Sequence, residues 1–208
     1  PCQGFSLSNT MTRNLGNPNN SLFQEFLRFV QIIQPDWFVF ENVEGFMRFE
    51  EGRVKKHVEQ CFMDMGYNVS SKILWASDYG VPQHRNRFFM VGNRLGINFE
   101  FPQKNETKIS VEEAIGDLPI LVNGQKDDVL AYRTPANEVS EYAQLMRQNS
   151  EQSLQNYVSR NADYVIERYR YNGKGQNWKT IPDTLMQKYK NKNNCHSGIY
   201  RNLKENEK

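Results

Sequence analysis

The short run Trp37-Phe38-Val39-Phe40, set between two stretches of helical periodicity, constrains this chain more than any other feature. Aromatic and β-branched, it is too short for a helix and suits a buried strand. Before it, Ser21-Leu22-Phe23-Gln24 has the form of a capping box that opens a helix. Leu22, Phe23, Phe26, Leu27, Val30 and Ile33 then recur at helical spacing, and Pro35 ends the stretch. After the run, Val54, Val58, Cys61, Phe62 and Met65 share one stripe of a helix over 53–65, with Gly66 placed as its cap. A strand around 67–76 and another over 88–91 follow, separated by the turn-forming Asp78-Tyr79-Gly80-Val81-Pro82-Gln83. Residues 1–20, rich in Gly, Ser, Asn and Pro, read as a loop. The order loop, helix, strand, helix, strand, strand is an α/β pattern.

Further along, Ser110-Val111-Glu112-Glu113 is a second capping box, for a short helix ending near Gly116-Asp117. Beyond about residue 120 Asn, Gln, Lys and Tyr become frequent, and only 140–147 and 154–169 read as helical. This shift sets the expected domains at 1–119 and 120–208. No apolar run approaches the roughly 18 residues that span a membrane, and the start of the chain lacks the pattern of a signal peptide. Cys2, Cys61 and Cys195 form no CxxC or Cys/His ligand spacing, so no metal site is expected and a reduced, intracellular setting fits. A chain that opens on Pro1 reads as a fragment, a processed product or a cropped one. The net charge of +2 is unevenly spread. Residues 168–208 hold ten Lys/Arg against three Asp/Glu, while 1–167 hold sixteen against twenty-one. Such a tail fits a phosphate backbone and equally a solvated Lys/Asn-rich surface.

Three polar clusters fall in turns or at predicted strand ends, where α/β folds place ligand sites. They are Pro1-Cys2-Gln3-Gly4-Phe5-Ser6, Glu41-Asn42-Val43 and Gln83-His84-Arg85-Asn86-Arg87. Singly, each is commonplace. Together and in this order they resemble motifs IV, VI and VIII of the DNA cytosine-5 methyltransferase family, with Asn20-Ser21-Leu22-Phe23 through Val30 resembling motif V. Ala114-Ile115-Gly116-Asp117-Leu118-Pro119 resembles the stretch that leads into the family's target-recognition region. His196-Ser197-Gly198-Ile199-Tyr200-Arg201 resembles the approach to motif IX. Residues 120–177 match no motif, as expected of a target-recognition segment.

The resemblance implies the C-terminal part of a Rossmann-like S-adenosylmethionine-dependent methyltransferase sheet, followed by part of a target-recognition domain. It implies methyl transfer to carbon-5 of cytosine in duplex DNA, on a base flipped out of the helix. Cys2 is then the nucleophile, adding as a thiolate to carbon-6. Glu41 supports the ring at N3; to donate a proton near neutral pH it needs a site that disfavours ionisation, such as the end of a buried strand. Arg87 reaches the cytosine carbonyl oxygen and Arg85 helps hold the catalytic loop, roles suited to a rigid guanidinium. Gln3, Ser6, Asn42 and Gln83 are expected at the substrate, with Asn42 bracing the loop.

Of the family's S-adenosylmethionine site only Pro1 and Leu22 are expected here, because the Gly-rich turn and acidic residue of its early strands lie ahead of motif IV. The chain by itself is therefore expected neither to methylate DNA nor to bind the cofactor, and to associate with a complementing N-terminal polypeptide. A cytoplasmic, DNA-associated bacterial enzyme is implied, of a restriction–modification system or solitary. Two alternatives stay open: a non-catalytic DNA-binding remnant or subunit of a split methyltransferase, and a relative acting on tRNA. Gly4-Phe5-Ser6 after the cysteine favours DNA over tRNA.

Overall fold

The computed structural model describes residues 21–187, 189 and 198–207. The chain divides into two compact units, Pro1–Lys108 and Ile109–Lys208. The short helix predicted after Ser110 thus belongs to the second unit. No helix among the described residues is long and apolar enough to cross a membrane.

In the first unit, α1 (Leu22–Ile33) leads to β1 (Trp37–Asn42). Then come α2 (Glu44–Arg48), α3 (Arg53–Asp64), β2 (Asn68–Trp75) and β3 (Asn86–Asn93). The predicted helices and strands all form. Ser21 is the N-cap of α1, but its backbone is α-like and its side chain makes no capping bond, so the capping box read there is not realised. Gly66, at φ +87°, follows α3 in the left-handed conformation that a helix terminus asks of glycine. The helix α2 escapes sequence reading because five residues show no period. Between α2 and α3 the chain turns through Glu50, Glu51 and Gly52, all at positive φ. Only the last of these is free of the left-handed steric cost.

The sheet has the order β1-β3-β2, and both pairings are antiparallel. The connections explain the antiparallel pairing. Residues 76–85 are too few for the crossover that parallel neighbours need, so β3 folds back along β2. The longer connection through α2 and α3 makes β1 and β2 parallel to one another, with β3 inserted between them. Among the described residues the other edge of β1 pairs with no strand.

Side chains alternate across a strand. Phe38 and Phe40 turn inward, joining Leu27, Val30, Phe46, Val58, Phe62, Phe88 and Met90 in one core. Phe38 packs on Phe62 at 4.1 Å between ring centroids and on Tyr67 at 5.1 Å. Trp37, Val39 and Glu41 turn the other way and are exposed. The strand is thus buried on one face only among the described residues, not on both. Gly92 of β3 lies under the Phe38 ring; a Cβ there would meet Phe38 Cε1 at 2.2 Å. Gly92→Ala should accordingly destabilise the unit by roughly 1–3 kcal/mol, the usual cost of overpacking. An unchanged midpoint in chemical denaturation would show that Phe38 does not stand over this backbone.

In the second unit α4 (Val111–Ile115) has the predicted capping box, with Ser110 and Glu113 bonded reciprocally. β4 (Leu130–Ala131) pairs with β5 (Gln152–Ser153), and α5 (Glu141–Met146) lies between them in sequence. α6 (Asp163–Tyr171) and α7 (Asp183–Met186) follow. The helix read over 154–169 begins only at Asp163. Upstream, Gln155 takes φ +60°, Asn156 Nδ2 donates to the carbonyls of Ser153 and Asp128, and Lys126 bridges to Tyr157. Such local side-chain bonds compete with the helix. The interior here is polar. Buried Arg168 donates to the Leu185 carbonyl at 2.8 Å and to the Tyr200 hydroxyl at 2.9 Å, with the Tyr164, Tyr189 and Tyr200 rings around it. Asn172, also buried, donates to the Tyr200 carbonyl.

Candidate active site

Glu41 and Arg87 meet where the end of β1 lies against the start of β3. In the register Glu41 stands opposite Phe89 and Asn42 opposite Phe88. Arg87 is two residues before Phe89, so it shares the sheet face of Phe89 and Glu41, away from the aromatic core. Arg87 Nε contacts Glu41 Oε1 at 2.8 Å, and Arg87 Nη1 donates to the Asn86 carbonyl at 2.8 Å. The Arg87 side chain is 22% exposed and that of Glu41 50%. Glu41 is therefore not the buried carboxyl expected at the end of a buried strand. It is an accessible carboxylate held by a guanidinium, because the face of β1 that carries it is open among the described residues.

The opposite parity aims Asn86 at α2, where its Nδ2 donates to Glu44 Oε2 at 2.5 Å. Glu44 also pairs with Arg48. Asn42 is half-buried, and its Oδ1 accepts the Val43 N–H at 2.9 Å, a local bond that turns the chain from β1 into α2. These two links fix the backbone on either side of the Glu41–Arg87 pair. Glu44 was not singled out from the sequence; standing three residues past Glu41, it has no signal of its own.

Gln83 and Arg85 are exposed on the loop 76–85. The loop is closed by Ala76 N–H donating to the Arg85 carbonyl at 2.8 Å, and within it Arg85 N–H donates to Gln83 O at 2.9 Å. The Trp75 and His84 rings stack at 4.3 Å across its base. Leu22, in the first turn of α1, is 37% exposed. Pro1, Cys2, Gln3 and Ser6 lie outside the described residues. The structure thus joins Glu41 to Arg87 and places Gln83 and Arg85 on the adjoining loop. Among the described residues no group of three His, Cys, Asp or Glu is placed to hold a metal ion.

Comparison with known proteins points to one family. The model of the C-5 cytosine-specific DNA methylase family matches residues 1–208. The Type II methyltransferase M.DdeI of Desulfomicrobium norvegicum is 35% identical over 208 residues, covering 95% of this chain and 49% of the relative. The Type II methyltransferase M1.HphI of Haemophilus parahaemolyticus is 38% identical over 132 residues, covering 62% of this chain and 36% of the relative. The chain spans about half the length, or less, of these curated relatives. Among solved structures, a protein described as a prophage-encoded DNA modification methyltransferase of E. coli matches with a TM-score of 0.65 at 22% identity, over all of this chain and 58% of that one. At that identity the likeness speaks for the fold, mixed α and β. With the family model matching residues 1–208, the chain belongs to the C-5 cytosine-specific DNA methylase family.

Proposed function

We propose that this chain carries the catalytic residues and part of the DNA-recognition region of a methyltransferase that methylates carbon-5 of cytosine in duplex DNA. The observation that carries the reading is the Glu41–Arg87 pair. Cytosine N3 and its carbonyl oxygen lie on adjacent ring atoms. A carboxyl and a guanidinium side by side match that edge, Glu41 toward N3 and Arg87, through its remaining N–H groups, toward the carbonyl. Both are reachable only by a base swung out of the duplex.

In this reading the Cys2 thiolate adds to carbon-6, and the electron pair displaced from the 5,6 double bond makes carbon-5 nucleophilic. Glu41 stabilises the charge that develops at N3. Carbon-5 takes up the methyl group, loses its proton to a base, and the thiolate is expelled as the double bond re-forms. Gln3, Ser6, Asn42 and Gln83 hold the nucleotide and the loop, and Arg85 braces the cysteine loop. S-adenosylmethionine supplies the methyl group as an electrophile. Of its expected contacts, Leu22 offers one exposed apolar side chain. A single apolar contact does not fit a ligand bearing a sulfonium, an amino acid and an adenosine, and its binding is not assigned to the described residues.

We infer further that the sheet continues at the open edge of β1, as parallel strands of a Rossmann-like methyltransferase sheet. These strands come from flanking sequence or from a complementing polypeptide. The unpaired edge and the exposed Trp37 and Val39 beside it support this. Residues 120–208, with their basic end, are assigned to target recognition, and 1–119 to catalysis. This reading sets the protein at DNA in the bacterial cytoplasm, in a restriction–modification setting. The test is direct. The full-length protein, given duplex DNA and labelled S-adenosylmethionine, should deposit label as 5-methylcytosine within one short sequence context. Label on a ring nitrogen or an exocyclic amine, or none on DNA, rejects the reading.

A further inference from the structure

The loop that carries Gln83 and Arg85 is anchored at a residue the reading above does not use. Asp78 is 4% exposed. Each of its carboxylate oxygens receives a lysine, Lys104 Nζ on Oδ2 and Lys108 Nζ on Oδ1, both at 2.8 Å. Its carbonyl accepts the Asn105 N–H at 2.8 Å, and the neighbouring Tyr79 hydroxyl donates to the Pro102 carbonyl. Gly80, at φ +79°, lies so close to the same segment that a Cβ would come within 3.3 Å of Asn105 Nδ2. Residues 102–108 are thus laced along one side of the loop. The lysine hydrogen bonds hold the Asp78 carboxyl below the usual range, and Asp78 in turn raises Lys104. At the base of the loop the Trp75–His84 stack supplies a second anchor. Lys108 is the last residue of the first compact unit.

We propose that Asp78, held between Lys104 and Lys108, is a positioning residue that fixes the loop carrying Gln83 and Arg85 and leading into Arg87 at the start of β3, and ties that loop to the segment by which the chain leaves the first unit. The inference rests on the roles given above to Arg85, which braces the cysteine loop, and to Arg87, which faces the base. With a neutral amide in place of the carboxylate, the two ammonium groups lose their shared counter-charge and repel. The loop then loses its hold on the segment. Arginines displaced by about an ångström lose much of their effect on the reaction, whereas Leu22, the contact expected for the methyl donor among the described residues, stands apart on α1.

The full-length protein tests this with Asp78→Asn, with Lys104→Gln and Lys108→Gln singly, and with the two lysine changes together. Hydrogen exchange across residues 79–85 and methylation kinetics are read well below the melting temperature. Asp78→Asn and the double lysine variant should each speed exchange in 79–85 by about tenfold and lower kcat by about tenfold or more. KM for S-adenosylmethionine should stay unchanged. Each single lysine variant keeps one ion pair and should lose less than the double. Should Asp78→Asn fail to fold, the lysine variants, whose side chains are 62% and 38% exposed, still decide the matter. A purely structural Asp78 predicts a lower melting temperature with normal kcat per folded molecule; that result overturns the proposal, as does unchanged exchange in 79–85. Arg87→Gln in the same assay separates the two claims. If it methylates normally, the substrate role of Arg87 falls and takes the positioning role with it, while the exchange data still report the anchor.

Discussion

Glu41→Gln should lower the rate of methyl transfer by about 10²-fold or more, the usual scale for a positioned acid or base. Glutamine keeps the size and one oxygen of the side chain, so the base edge still fits. It cannot share or donate a proton at N3, and it surrenders the charge that orients Arg87. The cost to stability is small, since Glu41 is half exposed and its pair with Arg87 is partly solvated. Ion pairs of this kind contribute about 0.2–1 kcal/mol. Catalysis and folding therefore separate. Single-turnover methylation with saturating donor should show the full loss, while the melting temperature shifts by only a few degrees. A near-normal rate in a folded variant removes Glu41 from the chemistry and leaves the ion pair a surface feature.

The elements of the first unit are legible in the sequence because their periods differ. Leu27 and Val30 repeat at helical spacing, and Val58 and Phe62 do so again, while Phe88 and Met90 alternate. The strand β3 is longer than its apolar run suggests. Asn86 and Arg87 extend it at one end, and their polar side chains hide that extension. The run Trp37-Phe38-Val39-Phe40 misleads in another way. Continuous apolarity signals burial on both faces, yet Trp37 and Val39 are exposed among the described residues. What covers that face is a tertiary matter that no local pattern records.

The site is less legible than the fold, and for a different reason. Glu41 and Arg87 come together through strand pairing, and spacing along the chain says nothing of it. They could be named beforehand only through the resemblance of three short clusters to a family. Asp78 shows the limit of that route. Its partners Lys104 and Lys108 lie 26 and 30 residues further along the chain, a separation no local pattern records, so a buried carboxylate flanked by two cations left no trace in the sequence. The second unit repeats the lesson at 154–162, where Asn156 and Asp128 bond side chain to backbone and override an apparent helix.

Cys2→Ala should abolish methylation and, with it, the covalent capture of DNA. Cys2 lies outside the described residues, so the assignment rests on its place in Pro1-Cys2-Gln3-Gly4-Phe5-Ser6 and on the poor fit of Cys61. Cys61 sits on α3, packs against the hydrophobic core, and has its sulfur 3.7 Å from His57 Nε2 on the same helix. A thiol in that position reads as a small apolar side chain. The capture experiment uses duplex DNA in which the target cytosine carries fluorine at carbon-5. Addition of the thiolate to carbon-6 and uptake of the methyl group proceed as on the natural base. The step that follows needs a proton to leave carbon-5, and fluorine cannot leave as a cation. The thioether bond to carbon-6 therefore persists and survives denaturant. The full-length protein should yield this adduct in the presence of S-adenosylmethionine. The Cys61→Ala protein should yield it too, and the Cys2→Ala protein should not, because alanine has no electron pair to offer the ring. An adduct undiminished in Cys2→Ala would place the nucleophile elsewhere and detach the first cluster of the sequence from the chemistry proposed for it.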